Sequence, residues 1–205
     1  MDACRNTLLE GLAQLNLALE TAQIDQLLTY IELIGKWNKA YNLTAVRDIH
    51  EMVTTHLLDS LVILPHVNGS RIADIGTGAG LPGIPLAICR PDWRLSLVDS
   101  NSKKTRFVQQ AVLELKLSNV EVVHARVENL QPAEPFDVVL CRAFASMPDI
   151  VRLCRHLLTP SGHILAMKGQ TPYEELMQIA QVYQVIPLRV PGIEAERCLV
   201  KMEAV

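Results

Sequence analysis

The sequence predicts an α/β domain, a mostly parallel sheet covered by helices on both faces, preceded by an all-helical segment. Three features carry that expectation. From residue 71 onward, short apolar runs alternate with helical stretches; the first third of the chain is purely helical in pattern; and a glycine-rich turn follows the first apolar run directly. A length of 205 residues fits one domain, or one domain with an attached helical segment. With 49% hydrophobic and 20% charged residues the chain can bury a sizeable core, which excludes wholesale disorder.

Residues 1 to about 66 read as helix. Leu8, Leu9, Leu12 and Leu15, then Ile24, Leu27, Leu28, Ile31 and Ile34, recur at three- and four-residue spacing, the stripe of a helix packed on a core. Asn42-Leu43-Thr44 interrupts this pattern, and a second amphipathic run from Met52 to Leu64 stops at Pro65. The expected parallel strands are Arg71–Ile75, Leu95–Asp99, Val120–His124, Phe136–Cys141 and His163–Met167. The helices between and after them are Pro85–Cys89, Ser102–Leu117, Pro148–Leu158 and Pro172–Tyr183. Gln184–Val190 and Arg197–Met202 have no helix between them, so they are expected to form an antiparallel hairpin at the sheet edge. The expected division is a helical region 1–66 packed on a core domain 67–205, the two forming one structural unit.

Several function classes fall away on composition. The longest stretch without a charged residue, Ile75 to Cys89, is too short to span a bilayer and is broken by Gly and Pro. The first residues show no secretory pattern, so the expectation is a soluble, cytoplasmic protein with no membrane partner. Cys4, Cys89, Cys141, Cys154 and Cys198 are dispersed and include no Cys-x-x-Cys pair. His50-Glu51 begins like a zinc-protease motif but meets Thr54 where the second ligand would stand, so no metal is expected. A net charge of −3 excludes a general polybasic nucleic-acid binder, and any nucleic-acid contact must rest on a local patch.

The glycine turn is the most informative segment. In Asp74-Ile75-Gly76-Thr77-Gly78-Ala79-Gly80-Leu81-Pro82-Gly83, four of the chain's ten glycines fall within eight residues. A tight strand-to-helix turn needs one or two. Glycine admits positive φ and close approach of a ligand, and the helix start behind it offers free N–H groups. Gly78-x-Gly80-x-x-Gly83 matches the dinucleotide pattern, but Asp74 before Gly76 gives Asp-x-Gly-x-Gly-x-Gly, the arrangement expected for S-adenosyl-L-methionine. Asp99 ends the next strand, where a carboxylate accepts from ribose hydroxyls of either cofactor. The terminal hairpin favours the methyltransferase. The predicted fold class is thus a Rossmann-like S-adenosylmethionine-dependent methyltransferase with a mostly parallel seven-stranded sheet.

Two further places bear on chemistry. Arg126-Val127-Glu128 follows the third strand and fits either the adenine border or an exposed charged turn. The fourth strand ends in Cys141-Arg142-Ala143-Phe144-Ala145, where an acceptor meets the methyl group. The Asn/Asp-Pro-Pro-aromatic motif of many amino-group methyltransferases is missing there, and Cys141 has no adjacent proline, so it reads as packing. No general base is evident. Methylation of a ring nitrogen with an exposed lone pair, such as guanine N7, removes no proton from the acceptor and asks only for alignment. Arg142 then positions cofactor or RNA, or makes a strand-end ion pair.

Lys36-Trp37-Asn38-Lys39-Ala40-Tyr41-Asn42-Leu43-Thr44, His56-Leu57-Leu58-Asp59-Ser60, Asp74 to Pro85, Leu97-Val98-Asp99-Ser100, Arg142-Ala143-Phe144-Ala145 and Lys168-Gly169-Gln170 occur in that order. Together they resemble the bacterial ribosomal RNA small subunit methyltransferase G family, also called glucose-inhibited division protein B, over nearly the whole chain. The resemblance implies methyl transfer from S-adenosyl-L-methionine to guanine N7 at position 527, in the 530 loop of 16S ribosomal RNA. It implies the small subunit or an assembly intermediate as partner. It also implies cofactor contacts at Gly76, Leu81, Val127, Glu128 and Arg142, beside Asp74, Gly78, Gly80 and Asp99 read from the loop. Asn42, His56, Arg126 and Lys168 match positions lining the RNA cleft; Arg142, Asn42 and His56 are the positioning candidates, with no catalytic residue fixed. Lys103, Lys104 and Arg106 match a basic cluster, with Ser102 where the family often has Gly. Trp37 and Tyr41, one turn apart, fit either helix-to-sheet packing or a stack on an extruded base. Methylation of a small molecule or protein, and a non-catalytic cofactor-binding role in assembly, stay open on fold alone.

Overall fold

The computed structural model describes residues 1–203. Its first helices form where the apolar stripes lie. Helix α1 (Asp2–Gln14) buries Cys4, Leu8 and Leu12, and α2 (Thr21–Tyr41) buries Ile24, Leu27, Leu28, Tyr30, Ile31 and Ile34. A reciprocal cap starts α2, with Gln23 Oε1 accepting from the Glu20 N–H at 3.0 Å. Asn42, in the left-handed region at φ 48°, ends it. Helix α3 (Ile49–Met52), a π-helical stretch Val53–Leu58 and α4 (Asp59–Leu61) then run on without a break. The expected stop at Pro65 falls in a short 3₁₀ turn, Leu64–His66.

The strands are β1 (Arg71–Ile75), β2 (Arg94–Asp99), β3 (Val120–His124), β4 (Phe136–Arg142), β5 (Leu158–Lys168), β6 (Tyr183–Leu188) and β7 (Arg197–Glu203). They form one sheet in the order β3-β2-β1-β4-β5-β7-β6. The first five pair in parallel; β7 lies antiparallel to both β5 and β6, so the expected hairpin is attached through its second strand. The chain order reverses between β1 and β4, which opens a crevice at their carboxyl ends.

Side chains alternate across this sheet with period two. On β4, Val138 and Leu140 join a core that also contains Leu8, Leu27, Ile31 and residues of α5 (Gly83–Cys89) and α6 (Ser102–Glu114). Val139 and Cys141 join a second core beneath α7 (Met147–Cys154). The N-terminal helices therefore thicken one face of the sheet. Their polar side chains also serve the core helices: Gln23 Nε2 donates to Ile88 O at 2.9 Å and Gln26 Nε2 to Leu115 O at 2.8 Å, satisfying carbonyls at the carboxyl ends of α5 and α6.

One expected helix is mostly absent. Of Pro172–Tyr183, only α8 (Tyr173–Leu176) is helical, and Leu176 is its one buried side chain. The following turns tighten to three-residue hydrogen bonds, Gln178 to Glu175 and Ile179 to Leu176. Val182 O then accepts from the Glu203 N–H, so pairing with β7 draws the end of the segment into the sheet. A run that buries Leu176 and leaves Tyr173, Met177 and Val182 exposed gains little from staying helical.

The buried Tyr30 hydroxyl on α2 donates to Ala79 O in the glycine turn at 2.6 Å. Tyr30→Phe is predicted to lower the unfolding free energy by about 1–2 kcal/mol, the cost of a lost buried hydrogen bond. An unchanged midpoint in chemical denaturation would show that this bond contributes nothing net.

Candidate functional site

The turn between β1 and α5 is shaped by two carboxylates. Asp74 is fully buried; its Oδ2 accepts from Thr77 Oγ1 at 2.7 Å and from the Gly83 N–H at 2.9 Å. Asp99 reaches across from β2, its Oδ2 accepting from the Gly78 N–H at 2.9 Å and its Oδ1 from the Asn101 N–H at 2.8 Å. Burial pushes the Asp74 carboxyl up to about 6, although the Thr77 and Gly83 hydrogen bonds pull the other way. Its Oδ1 has no partner, so two donors do not offset the desolvation.

Beside this turn, at the carboxyl ends of β1, β2 and β4, lies a cavity of about 520 Å³. Gly76 forms part of its wall at φ 69°, and a Cβ there would stand 2.6 Å from the Phe144 ring. Only glycine allows the backbone and that ring to meet. Asp99, Lys104, Arg126 and Glu128 complete the polar side of the cavity, and Val127 adds an apolar one. These are groups suited to a nucleoside: a carboxylate at the end of β2 for hydroxyls, a buried Val127 for an apolar face, and cations at the rim.

Other expected residues lie elsewhere. Gly80 packs against Ile84 and the Tyr30 hydroxyl, while Leu81 is buried in the core, so both shape the turn from behind. Lys103 and Arg106 are exposed on α6, with Lys104 alone of that cluster at the cavity. Asn42 is exposed, its Oδ1 accepting from Arg47 at 3.1 Å. His56 is buried, with Nε2 3.0 Å from Thr44 Oγ1 and Nδ1 unpartnered; burial lowers its pKa and favours the neutral ring. Trp37 packs on Tyr41 and on Phe107 of α6, with centroids 5.0 and 5.8 Å apart, which is the packing arrangement of the two. Among the described residues no group of three or more His, Cys, Asp and Glu is placed to hold a metal ion, and no helix is long and apolar enough to cross a membrane.

Arg142 and Lys168 border a second, smaller compartment of about 200 Å³ that shares Ala143 with the first. Arg142 Nη1 lies 3.3 Å from Asp59 Oδ2, and its Nη2 donates to Thr55 O at 3.1 Å. Lys168 Nζ donates to Ala145 O at 3.0 Å and to Glu175 Oε2 at 3.2 Å. Sequence reading missed Phe144 as a wall residue. Ala143, at φ 48°, turns the chain so that Phe144 borders one compartment and Arg142 the other. An alanine carries no signal for a left-handed residue.

A family model described as "GidB: rRNA small subunit methyltransferase G" matches residues 23–200. The chain belongs to the GidB family. A ribosomal RNA small subunit methyltransferase G from Laribacter hongkongensis is 53% identical over 195 residues, covering 94% of each chain. Its counterpart from Chromobacterium violaceum is 51% identical over 197 residues, again covering 94% of each. Among solved structures, the N-methyltransferase NodS of Bradyrhizobium japonicum in complex with S-adenosyl-L-homocysteine superposes with a TM-score of 0.55. It is 14% identical and covers 85% of this chain and 97% of its own, a likeness of fold. This GidB protein is thus a methyltransferase on the fold the sequence predicts.

In the GidB turn, the raised folded-state pKa of Asp74 sets a direction. Its stabilising contribution is complete below the ordinary carboxylate value of 3.8 and is lost as pH rises through about 6. Asp74→Asn, neutral throughout, is predicted to flatten the pH dependence of the thermal midpoint across that window. A variant that keeps the parent's slope would assign it to other groups.

Proposed function

We propose that this methyltransferase moves the methyl group of S-adenosyl-L-methionine to N7 of a guanine in 16S ribosomal RNA, at position 527 of the 530 loop by the family resemblance. The observation that carries the reading is the nucleoside-sized cavity walled by Gly76 and Asp99, with the cations Arg142 and Lys168 lining a neighbouring compartment that shares Ala143 with it. It acts in the cytoplasm on the small ribosomal subunit or a partly assembled form of it. Residues 1–66 and 67–205 work as one unit, because the first core runs from Leu8 and Ile31 through to Phe107 and Leu140.

When bound, the cofactor would supply a sulfonium methyl for the N7 lone pair, with thioether sulfur as the leaving group. The acceptor loses no proton from N7, so the protein's task is alignment. Asp99 accepts from ribose hydroxyls with the lone pairs its two backbone donors leave free, and Gly76 lets the cofactor lie against backbone. Val127 and Glu128, which line the same cavity, would border the adenine. Asp74, Gly80 and Leu81 hold the turn in shape from behind, and Gly78 is fastened to Asp99 through its N–H. Arg142 and Lys168 orient the acceptor strand, Lys103, Lys104, Arg106 and Arg126 attract RNA at the rim, and Asn42 and His56 fix the helical wall beside it.

Purified protein and small subunits from a strain lacking this modification should yield labelled 7-methylguanosine from radiolabelled S-adenosyl-L-methionine, identified by mass spectrometry. Label on another nucleoside, or none, would reject the assignment. Asp99→Ala removes the acceptor for two backbone N–H groups and for the ribose. It is predicted to weaken cofactor binding about 10- to 100-fold by calorimetry, the loss expected for charge-assisted bonds. Unaltered affinity would place the nucleoside elsewhere.

A further inference from the structure

We infer that the groove leading outward from Arg142, between Gly169–Thr171 and the β6/β7 hairpin, is a second binding site that holds the single-stranded RNA beside the target base. The inference rests on the RNA-substrate reading above and adds the path of the strand. The small compartment at Arg142 shares Gly169, Leu188, Arg197 and Cys198 with an outer one of about 650 Å³, which continues past Tyr173 and Arg189. The inner compartment therefore adjoins the outer one along four residues and the main cavity at Ala143.

Charge selects the ligand. Arg142, Lys168 and Arg197 line the inner compartment with one carboxylate, Asp59, which is only 3% exposed, and Glu175 pairs Lys168 from outside it, leaving one cation in excess. Asp59 Oδ1 accepts from Arg197 Nε at 3.0 Å while Oδ2 faces Arg142 Nη1 at 3.3 Å, so one negative charge orients two guanidinium groups and neutralises only one. Arg197 Nη1 donates to Glu196 O at 2.9 Å; its Nη2 makes no hydrogen bond among the described residues. Lys168 is shared with Glu175. The outer compartment adds Arg189, with Glu196 as its one carboxylate. An excess of cations in a narrow space suits a phosphodiester. The outer wall adds Tyr173, 74% exposed, an aromatic face of the kind on which an unpaired base stacks. A carboxylate of the cofactor would fill the inner compartment and leave this outer wall unused. The chain's net charge of −3 makes the cluster a local device, consistent with RNA held along one track.

The test compares Tyr173→Ala, Arg189→Gln and Arg197→Gln with Arg94→Gln, which removes one arginine charge at the amino end of β2, away from the groove. KM and kcat for unmodified small subunits, cofactor affinity by calorimetry, and anisotropy of a labelled single-stranded RNA oligonucleotide would be measured together. Tyr173→Ala is expected to raise KM about fivefold or more, with the loss in KM rather than kcat. Arg189→Gln is expected to raise it less and to shallow the salt dependence by about one phosphate contact. Arg197→Gln also takes one of the two partners of Asp59, so its unfolding midpoint is read alongside, and the two exposed positions decide. KM and oligonucleotide affinity matching Arg94→Gln at both would overturn the groove while leaving methylation intact. Weakened cofactor binding with unchanged RNA binding would assign the inner compartment to the cofactor and overturn it equally. Should the parent protein make no 7-methylguanosine, the function reading fails, and the oligonucleotide titration still judges the groove on its own.

Discussion

Asp74 is a carboxylate with no exposure to water, at the end of a strand that is paired on both sides, and it receives only two hydrogen bonds. Those two bonds close the glycine turn onto the start of α5, and Asp99 fastens the middle of the turn from the neighbouring strand. The turn is therefore built to shape by the protein, so a ligand need not order it on arrival. The cost is an acid held above its ordinary pKa. A Cβ at Gly83 would stand 2.8 Å from Asp74 Oδ2, which makes that glycine and that carboxylate a single fitted pair.

What was legible in the sequence was whatever repeats or clusters locally. The alternation of Val138, Val139, Leu140 and Cys141 gives a buried strand, the Ile24 to Ile34 stripe gives α2, and the glycine spacing with Asp74 and Asp99 gives the ligand edge. What stayed hidden depends on long-range or conformational facts. Arg197 and Asp59 are 138 residues apart, and nothing near either one marks the other. The left-handed Ala143 and the π-helical stretch Val53–Leu58 are backbone outcomes imposed by surrounding packing. The short α8 shows tertiary pairing overriding a weak helical pattern.

The helical region contributes more than bulk. Gln23 and Gln26 satisfy the ends of core helices, Tyr30 holds the glycine turn, and Asp59 sets two arginines at the border of the second compartment. Each of these is a polar side chain spent on a core-domain atom. A surface appendage would leave such groups in water.

The placing of β7 between β5 and β6 bears on synthesis. The ribosome makes β6 before β7, yet β6 has no partner in the sheet until β7 arrives. Until then β5 is an open strand edge rich in apolar residues, the kind of surface that invites wrong pairing and engages chaperones. The glycine turn and its carboxylates can assemble earlier, from segments already translated. Arg197 enters with β7, so the groove for the acceptor strand is finished in the same step that seals the sheet. The residues that close the glycine turn thus all precede in the chain the strand that completes the sheet.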